Sequence, residues 1–259
     1  MGWAARAEAR CRECANLPAT ADCRWPRVRS STMIEPDFVR ATRAFYDTVA
    51  AAYTERFSEE LAARPLERAL LGAFAERVRE SGAGPVADLG CGPGNISALL
   101  HALGVPVFGI DLSAHMVELA RRTYPELRFD QGSMLSLDLA DGSLGGLLAW
   151  YSTIHTPDER LPGLFAELAR VLAPGGEALI AFQTGAEPRH VTSQDFGLGG
   201  DPVGLTFLRR SPRLVIELLE RAGLTLRAQV VREPEGWEQS RQAFLFARKE
   251  PESAADEAA

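Results

Sequence analysis

VADLGCGPGN, residues 86 to 95, decides the fold: a short run of apolar and acidic residues stops on three alternating glycines, and a helical face of Ile96, Leu99, Leu100 and Leu103 follows. A strand that ends on glycines and restarts as a helix opens a β-α unit. Glycine is required there because the backbone must turn sharply and let a ligand approach without a Cβ in the way. Gly90, Gly92 and Gly94 depart from the dinucleotide pattern G-x-G-x-x-G, because Asn95 stands where the third glycine belongs. Instead Asp88 precedes the first glycine, and a second acid, Asp111, ends the next strand in VFGIDLS. An acid at that second position can accept two hydrogen bonds from vicinal ribose hydroxyls, while Asp88 is placed to hold a cationic amino group.

Outward from this loop, short apolar runs alternate with helical periods, the signature of repeated β-α units around a parallel sheet. Strands are predicted at 85–89, 106–110, 126–130, 145–151, 177–183, 224–231 and 242–248. Ser113 caps one helix, Thr156 and Glu159 fit a capping box before another, and Ser211-Pro212 opens a helix that Gly223 closes. Before the sheet, Phe38, Phe45 and Val49 recur at helical spacing. A second helix runs from Pro65 towards Gly82 with the apolar face Leu66, Leu70, Leu71, Phe74 and Val78. These two helices form an expected cap over residues 33–84.

The chain has 259 residues, 46% hydrophobic and 24% charged, enough for a sizeable core without disulfides or metals. Its net charge of −7, from 28 basic and 35 acidic residues, supplies no electrostatic funnel for nucleic acid. No apolar run approaches the roughly 18 residues that span a bilayer, and no apolar stretch follows the charged start MGWAARAEAR, so a cytoplasmic protein is expected. Cys11, Cys14 and Cys23 lie in a segment without hydrophobic periodicity. With no histidine before His101 they do not close a tetrahedral zinc site, so residues 1–32 read as a disordered extension with Met33 as the natural beginning. Residues 250–259 read as a disordered acidic tail, which leaves 33–249 as a single domain.

With the acid-glycine loop and the second acid in place, residues 36 to 249 resemble the class I S-adenosylmethionine-dependent methyltransferases, small-molecule type. RVLAPGGEALIAF, 170 to 182, matches the family's crossing into the fifth strand, with the helix ending near Ala173 and Gly175-Gly176 as the turn. The resemblance implies an α/β fold: a three-layer, Rossmann-like, doubly wound sheet, mostly parallel with an antiparallel last strand at 242–248. It further implies S-adenosylmethionine as cofactor. Asp88, Gly90 and Gly92 would lie against its methionine moiety, Asp111 on its ribose, and Leu112 and Met116 near its adenine. FDQGSM, 129 to 134, matches the segment bordering the adenine, which brings in Gln131, Gly132 and Ser133. LLAWYSTIH, 147 to 155, matches the fourth strand and its loop, which brings in Trp150.

Loops after Asp88, Asp111, Trp150 and Gln183 should converge on one crevice, and His155 and His190 fall on that side. Histidine suits proton transfer near neutral pH, so both are candidate catalytic residues, although His155 could equally pack at a helix start and His190 on a surface loop. His101 and His115 sit on helices and read as surface residues. Tyr46 and Tyr53 share one face of the first helix. That stripe suits a core, but the resemblance implies a tyrosine reaching the cofactor, and Tyr53 is preferred. Residues 184–210 interrupt the β-α rhythm and carry Arg189, His190, Phe196, Leu198 and Phe207, which suggests a lid over a small-molecule acceptor. No carboxylate cluster suggests a metal, so metal-independent methyl transfer to O, N or C is expected. A nicotinamide-dependent oxidoreductase and a non-catalytic S-adenosylmethionine-binding protein are the alternatives.

Overall fold

A computed structural model describes residues 35–57 and 59–251; the cysteine-bearing segment 1–32 and most of the acidic tail lie outside the described residues. Among the described residues the chain forms nine strands and six α-helices, in the order α1 (Asp37–Phe57), α2 (Pro65–Ser81), β1 (Val86–Leu89), α3 (Asn95–Ala102), β2 (Val107–Asp111), α4 (Ala114–Thr123), β3 (Arg128–Gln131), β4 (Leu144–Trp150), α5 (Leu161–Val171), β5 (Leu172–Thr184), β6 (Arg189–Thr192), β7 (Gly204–Phe207), α6 (Pro212–Arg221), β8 (Leu224–Arg232) and β9 (Arg241–Lys249). Seven strands form one sheet in the order β3-β2-β1-β4-β5-β9-β8. Its first five strands are mutually parallel, and β9 runs antiparallel to both β5 and β8. The architecture is the doubly wound, Rossmann-like sheet with an antiparallel final strand.

Alternation along the strands explains the three layers. Ala87, Leu147, Ala178 and Ile180 face α5 and α6, whereas Val86, Leu148, Leu179 and Ala181 face α2 and α3. A sheet buried on both sides needs such continuous apolar runs, and β4 and the 178–182 stretch of β5 supply them.

Three expectations shift. Only α1 lies over the strand ends as a cap: α2 lays Leu70, Leu71, Phe74 and Val78 on the sheet core, and Leu66 is 38% exposed instead of joining that face. The Thr156-Glu159 capping box does not form. The chain makes two short 3-10 turns, Thr153–His155 and Asp158–Arg160, and α5 starts only at Leu161. Buried Arg210 donates to the Thr153 and Thr156 carbonyls and to Asp158, holding this stretch out of the helix. Last, β5 begins at Leu172, before Gly175-Gly176, because Leu172 pairs with Leu144 across a shift in register. Among the described residues no helix is long and apolar enough to cross a membrane.

Candidate active site

The loops at the carboxyl ends of β1, β2, β4 and β5 open onto one cavity of about 300 Å³, within the usual range for a small-ligand pocket. Its floor is the glycine loop. Gly90 has φ 76°, and a Cβ added there would lie 2.3 Å from the Ser152 Cβ, so the β1 and β4 loops can meet this closely only at glycine. Gly92, at φ 53°, is the opposite case: a Cβ there would meet nothing within 4 Å, and the residue lines the cavity as a bare cradle.

Two acids flank this cradle. Asp88 is 1% exposed and accepts from Ser97 Oγ at 2.6 Å; burial pushes its carboxyl up to about 7. Asp111 accepts from the Gly92 and Ser113 amides at 2.8 Å each; burial raises its carboxyl to about 6 against the pull of those two bonds. Each carboxylate retains lone pairs for further donors. Leu112 and Met116 line the same end, with Gly132 and Ser133 beside them, and Trp150 borders the fourth strand's end. Gln131 is a correction. It is exposed, it does not line the cavity, and its amide donates to the Leu112 carbonyl at 3.1 Å, because β3 alternation turns it outward.

Above the floor lies a roof of side chains from distant segments. Tyr53 lines it, packed on Tyr46, Phe57 and Phe196. His155 is 8% exposed, and its Nε2 lies 2.8 Å from the Tyr46 hydroxyl; burial lowers its imidazole to about 4, so it is neutral at pH 7. The lid expected over 184–210 is an ordered hairpin of β6 and β7 whose Val191, Leu205 and Phe207 pack on Phe45 and Val49 of α1. His190 is the second correction. It is exposed on β6 opposite Thr206, its ring covers Gly204, and it stays outside the cavity lining, because cross-strand packing points it away.

Several lining residues escaped the sequence reading. Tyr151 carries φ 56°, a strained conformation for a tyrosine, at the end of β4. Ser152 Oγ and Gln183 Oε1, both on lining residues, are buried without a hydrogen-bond partner. Such orphans cost roughly 1 to 3 kcal/mol each and call for an explanation, a bound ligand among them. At the far end Arg232 binds Glu67 and Glu238, and Arg64 binds Glu235 and Glu60. These pairs fasten the β8-β9 loop, with Trp237, against α2. No local pattern announces contacts between residues so far apart in sequence.

A glycine cradle with no Cβ, two buried acids with lone pairs to spare and orphaned polar atoms fit a compact ligand that carries a diol and a cation. The fold and this crevice are those of a Rossmann-like, doubly wound domain with a ligand site at its strand ends, and in comparison with known proteins residues 86–176 match the family model described as a methyltransferase domain. Among curated relatives, a trans-aconitate 2-methyltransferase of Rhizobium meliloti (strain 1021) is 34% identical over 140 residues, 50% of this chain and 52% of its own. An O-methyltransferase of Pyrenophora dematioidea is 35% identical over 112 residues, 40% of this chain and 41% of its own. The chain thus spans about half the length of the curated relatives it matches. In fold it is similar to the 1,6-didemethyltoxoflavin-N1-methyltransferase of Burkholderia thailandensis, with bound 1,6-didemethyltoxoflavin and S-adenosylhomocysteine, at TM-score 0.62 and 18% identity over 86% of this chain and 94% of that one. Over residues 86–176 the chain is thus similar to a methyltransferase domain, and these curated relatives are themselves methyltransferases.

Proposed function

We propose that the protein transfers the methyl group of S-adenosylmethionine to a small molecule, without a metal and mainly by alignment. The observation that carries this reading is the Gly92 cradle between Asp88 and Asp111, continuous with the aromatic roof in one cavity. In this reading Asp88 holds the amino group and Asp111 the ribose hydroxyls. Leu112 and Met116 cover the adenine, Gly132 and Ser133 border it, and Tyr53 and Trp150 close the methionine end. The cofactor supplies an electrophilic methyl on a sulfonium. The chain's own residues supply orientation and exclude water: Phe207, Tyr46 and Tyr53 wall the acceptor side, under a cap formed by α1 and the 184–210 insertion. Positioning of this kind is worth on the order of 7 to 11 kcal/mol, against a factor of about 10² to 10⁴ for a general base.

The net charge of −7 supports a small-molecule acceptor over nucleic acid or an anionic membrane surface. Calorimetric titration with S-adenosylmethionine and its demethylated product, followed by transfer of labelled methyl to a metabolite extract, tests the proposal. Saturable binding and a labelled product are expected. Failure of both ligands to bind would overturn it.

A further inference from the structure

We infer that Tyr46 is the group that meets the methyl acceptor, that its oxygen offers the acceptor only lone pairs, and that the acceptor therefore brings an O–H or N–H bond and is not a carboxylate. The inference rests on the methyltransferase reading above.

Polarity is fixed from behind. His155 Nδ1 faces the Thr206 backbone carbonyl at 3.5 Å, and a carbonyl can only accept, so Nδ1 carries the proton and Nε2 keeps its lone pair. Across the 2.8 Å contact Tyr46 must then donate to Nε2. Burial holds the imidazole neutral and keeps the Tyr46 phenol protonated well above the usual range, so this arrangement does not invert near neutral pH. With its one proton committed, the Tyr46 oxygen turns an acceptor towards the cavity that both residues line. A carboxylate there would face lone pair against lone pair; a hydroxyl or amine would donate.

The far end of the cavity points the same way. Arg232 is engaged through Nε, Nη1 and Nη2 by Glu67, Glu238 and the Glu233 carbonyl, and Arg64 by Glu235 and Glu60. Those guanidiniums already hold the chain's own carboxylates. Arg189, on β6, and Arg56, on α1, whose Nη1 donates to the Asp195 carbonyl at 2.9 Å, also line the cavity and are the counter-cases that the test includes.

With a hydroxyl acceptor, the oxygen bonds to the methyl carbon as the carbon–sulfur bond breaks and leaves its electron pair on sulfur. The hydroxyl proton passes to Tyr46 while Tyr46's own proton passes to His155 Nε2. The positive charge lost at sulfur reappears on the imidazole and leaves as a proton to water.

The test runs the full chain with labelled methyl donor and a metabolite extract, then treats the product with mild alkali, which frees methanol from methyl esters but not from ethers or N-methyl groups. Alkali-stable label is expected. Tyr46→Phe should lower turnover by about 10² to 10⁴ while donor affinity by calorimetry stays within about twofold, a split that a merely structural tyrosine would not give. Alkali-labile label, above all label lost in Arg56→Ala or Arg189→Ala, would overturn the inference. Donor that fails to bind overturns the methyltransferase reading instead. Nitrogen NMR of the His155 ring decides without turnover: the Nδ1–H tautomer is expected, and an Nε2–H tautomer overturns the proposal.

Discussion

The floor and the roof of the cavity are built in different ways. The floor comes from one continuous stretch, residues 88 to 133, and is held by backbone: the Gly90 amide donates to the Ile110 carbonyl at 2.7 Å, and the Gly92 and Ser113 amides donate to Asp111. The roof gathers α1, the 153–155 turn, the β6-β7 hairpin and the β8-β9 loop, and it is held by side chains. Tyr46 bonds to His155, Phe45 packs on Phe207, and Phe57 packs on Trp237. A backbone floor tolerates few substitutions and suits a ligand that never changes. A side-chain roof can be rewritten without moving the sheet, which suits an acceptor that differs from one relative to another.

The largest effect should come from Gly90→Ala on the floor. A methyl 2.3 Å from Ser152 Cβ at φ 76° combines a left-handed penalty with overpacking, together about 2 to 5 kcal/mol. Thermal unfolding and donor titration should both show it; a variant that binds donor normally would mean the β1 loop is not the floor of the site. Next comes Asp111→Ala. Loss of charge-assisted bonds to the ribose should weaken donor binding by roughly 1 to 3 kcal/mol, read by calorimetry on folded variant. Unchanged affinity would remove the ribose assignment.

Asp88 gives a smaller effect with a definite sign. Its carboxyl is raised from 3.8 to about 7 in the folded chain, so the stability it lends is fully present below its unfolded value and is lost as pH rises through 7. A cation needs the ionised form. Donor affinity should therefore rise by up to roughly tenfold per pH unit on the approach to 7 and level off above, with proton release on binding near neutrality. Asp88→Asn should flatten that step. If the wild-type profile is already flat from pH 5.5 to 8, the amino group is held elsewhere.

Sequence legibility divides along the same line. Strand order apart, the floor could be read from residues 86 to 133, because a turn that needs glycine and a strand that must end on an acid leave local marks; Gln131 went astray only by strand parity. The roof left almost none. Tyr151's left-handed backbone has no residue signal, since tyrosine does not favour it. The pairing of Tyr46 with His155 joins positions far apart in the chain, and the Arg232 network depends on how the β8-β9 loop folds back on α2. Aromatic and polar content marked 184–210 as a wall, but nothing in it distinguished the inward Phe207 from the outward His190. That distinction is set by hairpin register, and register is fixed by pairing rather than by composition.

The smallest effect is expected at that outward residue, and it tests whether the roof stays as it is during turnover. His190 Nδ1 sits 3.4 Å from Thr206 Oγ1 on the exposed face of the hairpin, at the end of a weak contact that water can replace. His190→Ala should change unfolding stability by less than about 0.5 kcal/mol and leave turnover and donor affinity as they were. Register makes this a sharp expectation, because bringing His190 inward would require a one-residue slip that drives Val191 and Leu205 off α1. A marked loss of turnover with stability intact would therefore mean that the hairpin does not keep this packing in the working enzyme. The roof would then be a moving part, and the contrast with the rigid floor would be one of dynamics as well as of construction.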